Sequence, residues 1–404
     1  MSVSIWISRK KGAPLFLFKK IQEGLKQGHS LFKLRIRSSS GGHYPNICVP
    51  IAGIIDYCRA ELGCDFISSA AYKKSHFEQI GIISPHTLDN ETSPSSLLDR
   101  IWKFSIEDHY EIMKGIADSL RRAAPMESGV ILGLELALNE VTDNILQHAF
   151  SASESEKMLG FVMVQYHIKE HHVAVAVFDS GQGIESSLAQ GGHKFVNAEK
   201  ALHYALQKGV TDGKGAGNKP WMMRNIISAS AGSFELTSNG TKYSLRHKAV
   251  DDTPEPKLST VRTPKEGTTL VDFQLRTDHP IQLEKALDSY SPVNLWLENR
   301  LDDQLQNASL LIREESRGCA SRYEAKAFAN IVCNALKECS GKCYIDFAGI
   351  EIVSASYADQ LLVSLISELS FIGFLSRIAL TNISPSCALV FNTCFNGRFL
   401  DKQG

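Results

Sequence analysis

Neither sign of charge dominates this 404-residue chain: 43 Lys and Arg stand against 44 Asp and Glu, a formal net charge of −1. Without a strong positive field, bulk nucleic-acid binding is not expected. No apolar run approaches the roughly 18 residues needed to span a bilayer. The stretch Ala13 to Phe18 is too short and wrongly flanked for a secretory signal, so no membrane is expected as a partner. No self-similarity appears at a period of roughly 20 to 50 residues, which argues against a solenoid. The nine cysteines (48, 58, 64, 319, 333, 339, 343, 387 and 394) contain no Cys-x-x-Cys pair and have no His at metal spacing. An odd number of thiols without a framework reads as reduced, hence cytoplasmic.

What is present is the composition of a globular protein, 43% hydrophobic and 22% charged. At about 150 residues per domain the length fits roughly two to four domains. One local bias stands out. Residues 1 to 40 carry Arg9, Lys10, Lys11, Lys19, Lys20, Lys26, Lys33, Arg35 and Arg37 against the single acid Glu23. This basic segment reads as a solvated face of an N-terminal domain, with contact to nucleic acid or an anionic surface as the alternative.

Turn-forming stretches divide the chain into three. Residues 1–97 read as an N-terminal α/β domain with a helix from Ile51 to Leu62, ending in the turn-rich stretch Ser84 to Ser96. Residues 98–277 carry the chemistry, and residues 281–404 form a third unit. Within the middle segment, Leu134, Leu138, Val141, Ile145 and Ala149 are spaced 4, 3, 4 and 4, which predicts an amphipathic helix over Val130 to Phe150. Gly160 to Ile168 and Val173 to Phe178 read as a hairpin around the polar turn Lys169 to His172. Helices over Ala198 to Gln207 and Trp221 to Ala229 precede strands Ser233 to Thr237, Lys242 to Arg246 and Thr268 to Leu275. The Pro-rich, charged stretch Asp251 to Glu266 reads as an exposed loop. The predicted fold class is mixed α/β (α+β), a mostly antiparallel sheet with helices on one face.

Four elements of this segment suit a nucleotide. Glu140, Asn144 and His148 are spaced i, i+4 and i+8, one stripe of a helix. A carboxylate can orient or deprotonate a nucleophile, and an amide oxygen is a hard ligand for Mg²⁺. An apolar strand runs into Asp179-Ser180-Gly181-Gln182-Gly183-Ile184, where a carboxylate can accept from an exocyclic amine and glycines admit a flat ring. Lys214-Gly215-Ala216-Gly217 precedes a helix that Pro220 can start, where backbone amides can hold phosphates. Gly267-Thr268-Thr269 opens a strand, with a hydroxyl available to a purine. Taken singly, each also reads as an ordinary helix face, glycine turn, surface loop or strand start.

In this order, over roughly residues 100 to 276, the four boxes resemble the GHKL ATPase family of gyrase, heat-shock chaperone, histidine-kinase and mismatch-repair type. The resemblance implies a Bergerat α/β sandwich holding ATP and Mg²⁺ under a lid around residues 186 to 219. By position it implies Glu140 as general base and Asn144 as Mg²⁺ ligand. Asp179 would accept from the adenine amine, with Gly181, Gly183 and Ile184 shaping the base pocket. Lys214, Gly215 and Gly217 would meet phosphates, and Thr268 would support adenine. In this chain Gly217 is followed by Asn218-Lys219-Pro220-Trp221 where many members continue Leu-Gly-Leu. His109 lacks the surroundings of a phosphoacceptor and reads as a helix-start residue.

Further on, Cys343-Tyr344-Ile345-Asp346 enters the Ser-rich turn Ser354-Ala355-Ser356 and an apolar helix, followed by a strand at Ile378 to Leu380. Ser354 or Ser356 suits a helix cap. The pattern also resembles a STAS-like domain over about residues 320 to 400. That resemblance implies Ser356 as candidate phosphoacceptor, although Tyr357-Ala358-Asp359 replaces the usual Gly-Leu-Gly. Residues 30 to 95 read as a degenerate second copy. The expected whole is a cytoplasmic ATP-binding regulatory protein that hydrolyses ATP or transfers its γ-phosphate to a Ser/Thr target. Its partners would be a protein, or itself as a homodimer, through the STAS-like domain. The alternative is an ATP-gated interaction switch.

Overall fold

The computed structural model describes residues 2–7, 12–36, 43–68, 76–90, 96–148, 160–210, 219–249, 252–289, 294–302 and 306–400. They form two compact units, one of Met1–Ala117 with Gly133–Thr277, the other of Asp118–Leu132 with Asp278–Gly404.

The first unit opens with β1 (Val3–Ile7), α1 (Ala13–Lys26), β2 (Leu31–Ile36), α2 (Pro45–Leu62), β3 (Asp65–Ser68) and α3 (His76–Ile80). Their strands make a three-stranded parallel sheet, β1-β2-β3. Then come β4 (Ile101–Phe104), α4 (His109–Ala123), α5 (Val130–His148), β5 (Gly160–His167) and β6 (His172–Asp179). The run closes with α6 (Gly183–Gln190), α7 (Ala198–Ala205), α8 (Lys219–Ala229), β7 (Ser233–Ser238), β8 (Thr241–Arg246), β9 (Lys257–Thr260) and β10 (Thr269–Arg276). Seven strands form an antiparallel sheet in the order β4-β5-β6-β10-β7-β8-β9, an α/β sandwich of the expected class. The predicted apolar stripe of α5 is buried at Leu134, Leu138, Val141 and Ile145, while Ala149 lies outside the described residues. His109 is the first residue of α4, as expected for a helix-start position.

Two expectations give way here. Helices cover both faces of the sheet, not one. Residues 173–179 of β6 are all buried, so Val173, Val175 and Val177 on one face and Ala174, Ala176 and Phe178 on the other are both shielded. The second cover is α2. It shares a core with Phe161, Met163, Ala176 and Phe178, and Gly53 sets its approach: a Cβ there would lie 2.3 Å from the Phe178 ring. Asn46 of α2 donates to Asp272 at 2.7 Å, and Lys103 pairs with Asp56 at 2.9 Å. Residues 1–97 therefore add a layer to the large sheet. The stretch Asp251 to Glu266 also contains a strand, β9, which extends the sheet edge by pairing with β8. The prolines at 254, 256 and 264 flank that strand and masked it in the sequence.

The second unit holds α9 (Leu283–Ala286), α10 (Leu295–Glu298), β11 (Ala308–Leu311), α11 (Ile312–Glu315), α12 (Arg322–Glu338), β12 (Cys343–Asp346), α13 (Ala355–Arg377), β13 (Ile378–Thr381) and α14 (Pro385–Phe395). Its sheet is parallel in the order β11-β12-β13. Ser321 and Glu324 form a capping box at the start of α12. On α12, Asn330, Asn334 and Glu338 recur every fourth residue and bind the last turn of α4 and the segment that follows it. Asn330 donates to the Arg122 carbonyl at 2.7 Å and Asn334 to that of Arg121 at 2.9 Å. The Met126 amide donates to Asn334 and the Gly129 amide to Glu338, both at 2.8 Å. Trp296 is stacked by Arg121 at 4.3 Å and Arg300 at 4.6 Å.

Contrary to the expectation that no apolar segment is long enough, α13 meets the length and composition of a membrane span, with mean hydropathy 1.5. Its sequence hid this because Asp359 and Glu368 interrupt the apolar run. The backbone breaks at Ser370 (φ 64°, ψ 166°), whose hydroxyl accepts from the Gly373 amide. Tyr357, Leu361, Leu362 and Leu365 are buried in the core of this unit, whereas Phe371, Ile372 and Leu375 further along the helix are exposed. All nine thiols are free.

If α2 and the large sheet are one packed body, Gly53→Val forces methyl groups into Phe178. It should cost about 1–3 kcal/mol in urea unfolding, with the sheet and the N-terminal helices melting together. Independent melting of residues 1–97 would contradict the shared core.

Candidate functional site

Strand alternation and the β6–β10 register place Asp179 opposite Thr269, at the end where β6 leaves the sheet. Asp179 is 5% exposed. The loop turns back on it, and the Gly181 amide donates to its Oδ1 at 2.8 Å. Burial pushes this carboxyl up to about 7, against the opposing pull of the Gly181 amide, the Thr269 hydroxyl and the Lys265 ammonium. An acid group so perturbed at a strand end is a candidate for a functional site.

The predicted residues around it are held by contacts within the protein. Gly183 has φ +77°, and a Cβ there would lie 2.3 Å from Asn239 Oδ1. Gly267 has φ +79°, and its Cβ would lie 2.3 Å from the Gly181 carbonyl oxygen. Both glycines are thus required by positive φ and by the close packing of the 180–184 and 265–269 segments. Ile184 donates its amide to Ser238 Oγ at 3.0 Å. Its side chain packs into a small cluster with Leu188, Ala201, Ala205, Phe195 and Tyr204. Thr268 is buried, and its hydroxyl donates to the Lys265 carbonyl at 3.0 Å. The hydroxyl facing Asp179 belongs to the next residue, Thr269, because side chains alternate along β10.

Sequence reasoning missed three participants. Asn239 sits at the β7–β8 turn with φ 46° and accepts from the Gly267 amide at 3.1 Å. Ser238 Oγ lies 3.4 Å from Thr269 Oγ1. Lys265 donates to the Ser180 carbonyl at 2.9 Å. The Asn239-Gly240 dipeptide was the available signal, since it marks a tight hairpin turn; nothing in the sequence singled out Lys265 or Ser238.

Glu140 and Asn144 stand one turn apart on a different element, α5, and both are half-buried. Asp143 between them faces His109 on α4, with 3.5 Å between Oδ1 and Nε2. Lys214, Gly215 and Gly217 lie outside the described residues, as does part of the expected lid. Helices α6 and α7, which overlap the stretch expected as a lid, are described, and Asn197 caps α7 by accepting from the Lys200 amide. In the second unit Ser354 is the cap of α13, accepting from Tyr357 N–H at 3.0 Å, which leaves Ser356 exposed in the first turn. Among the described residues no group of three or more His, Cys, Asp or Glu side chains is placed to hold a metal.

The buried carboxyl has a measurable cost. An unfolded Asp titrates near 3.9, so between about pH 4 and 7 the folded chain holds this proton more tightly than the unfolded one. Stability from this group is full below about pH 4 and falls as pH rises to about 7. Asp179→Asn should therefore be more stable than the native chain by about 2–4 kcal/mol at pH 8, with the difference vanishing near pH 4. Urea titrations at the two pH values check it, and a pH-independent difference would contradict the raised carboxyl.

No family model matches the chain, and no curated protein matches it. Among solved structures it is similar to the topoisomerase IV ATP-binding domain of Francisella tularensis in complex with a small-molecule inhibitor, at 13% identity and a TM-score of 0.23. That match covers 49% of this chain and 47% of the other, so the chain spans less than half of that domain. It is also similar to the histidine kinase domain of the blue-light activated kinase EL346 from Erythrobacter litoralis. There the identity is 12% and the TM-score 0.21, over 69% of this chain and 99% of the other. Likenesses this faint assign no residue a role.

Proposed function

We propose that this chain is an ATP-binding regulatory protein of GHKL type, with Asp179 accepting a hydrogen bond from the adenine amine. One observation carries this reading: a carboxyl 5% exposed at a strand end, which accepts from the Gly181 amide and faces the hydroxyl of Thr269. A buried acceptor selects a ligand that brings its own donor, since an unmatched buried polar group costs about 1–3 kcal/mol. The order of sequence boxes supports the same ligand.

On this reading Glu140 accepts the proton of an attacking water, or of a serine hydroxyl if the γ-phosphate is transferred. Asn144 would hold Mg²⁺ through its amide oxygen, the ion offsetting phosphate charge when bound. Lys214 and the amides of Gly215 and Gly217 would meet the phosphates. The second unit is read as STAS-like, its exposed Ser356 the candidate phosphoacceptor in the same chain or in a second copy. A second reading, an ATP-gated interaction switch, is favoured by the grip of Asn330, Asn334 and Glu338 on the segment that runs into α5.

Asp179→Asn should weaken ATP binding by about 10- to 100-fold, the loss of one hydrogen bond to a charged group. With labelled ATP and Mg²⁺, the native chain should release labelled phosphate or carry label removable by Ser356→Ala, and Glu140→Ala should abolish either while still binding ATP. A native chain that binds but shows no more turnover than Glu140→Ala selects the switch; one that binds no nucleotide overturns both readings.

A further inference from the structure

Lys265 belongs to none of the recognised boxes, yet it joins three parts of the first unit. Its ammonium donates to the Ser180 carbonyl at 2.9 Å, inside the loop that carries Asp179. It lies 4.9 Å from the centre of the Tyr57 ring on α2, a cation–π contact. Its carbonyl accepts the Thr268 hydroxyl at 3.0 Å, which fixes the start of β10 opposite Asp179. One residue thus ties the Asp179 loop to the strand beside it and to the N-terminal layer over the sheet.

We propose that Lys265, steadied by Tyr57, is a positioning residue of the nucleotide site: it fixes the 180–184 loop and supplies the positive charge nearest Asp179, making α2 a determinant of nucleotide affinity. The inference rests on the ATP-binding reading above. The groups facing Lys265 are Asp179 from β6 with Tyr57 and Glu61 from α2. Those facing Asp179 are Lys265, the Gly181 amide and the Thr269 hydroxyl. Burial alone lowers the Lys265 ammonium, and Asp179 and Glu61 oppose that shift, so the lysine and the carboxylate stabilise each other's charged forms. Removing the lysine charge leaves Asp179 more readily protonated, and a protonated carboxyl is a poorer acceptor for an amine.

The test is the pH profile of ATP binding, measured by calorimetry from about pH 5.5 to 9 on the full chain. In the native chain affinity should rise with pH as Asp179 ionises. Lys265→Met should shift that rise upward by about one pH unit, giving roughly fivefold weaker binding at pH 7 and recovery toward the native affinity at the alkaline end. Lys265→Arg should keep the native profile, and Tyr57→Leu should show a smaller shift of the same sign. Should the methionine variant fail to fold, Lys265→Gln is read the same way. An unshifted profile in the charge-free variants, or an equal loss at every pH, overturns the inference while leaving ATP binding intact. A native chain that binds no ATP overturns the reading and the inference together.

Discussion

A carboxyl group is carried to the end of an apolar strand and shut away from water, and the rest of the first unit is arranged around that fact. Left bare, such a charge is expensive, so proteins match it or neutralise it. Here the matching is partial. One backbone amide, one hydroxyl and a neighbouring ammonium pull the carboxyl toward its charged form, and burial still wins, leaving it near neutrality. A group in that state is poised to take a hydrogen-bond donor from outside, and the proposed adenine amine fills this role.

The burial itself traces back to the layering of the sheet. β6 lies between β5 and β10 and is covered on both faces, which is why Val173 to Phe178 read as an unbroken apolar run rather than an alternation. α2 supplies the second cover and is admitted only because Gly53 lets it approach Phe178. The same helix sends Tyr57 toward Lys265. The N-terminal layer, which composition marked only by its basic bias, thus contributes to the core and to the surroundings of Asp179 alike.

Local signals were legible. The 3.6-residue spacing of Leu134, Leu138, Val141 and Ile145 located α5, and the polar turn 169–172 located the β5–β6 hairpin, because both are written in neighbouring residues. Contacts made at long range were not. Nothing near Gly53 in the sequence names Phe178, and the prolines around β9 suggested a loop until β8 was seen to pair with it. Within the site, the choice between Thr268 and Thr269 turned on a single step of register that only the pairing of β10 with β6 decides. Lys265 was invisible because a lysine between a proline and a glutamate looks like any solvated loop, and its partners lie 85 residues upstream at Ser180 and farther still at Tyr57.

The claim that Asp179 is a poised acceptor for a nucleotide is tested most directly by the ¹³C resonance of its side-chain carboxyl, followed through a pH titration with and without ATP. The account predicts a midpoint near 7 in the free chain that falls by about one pH unit or more when ATP is added, since a donated hydrogen bond favours the charged form. A midpoint near 4 in the free chain, or one that ATP leaves unmoved, would contradict it.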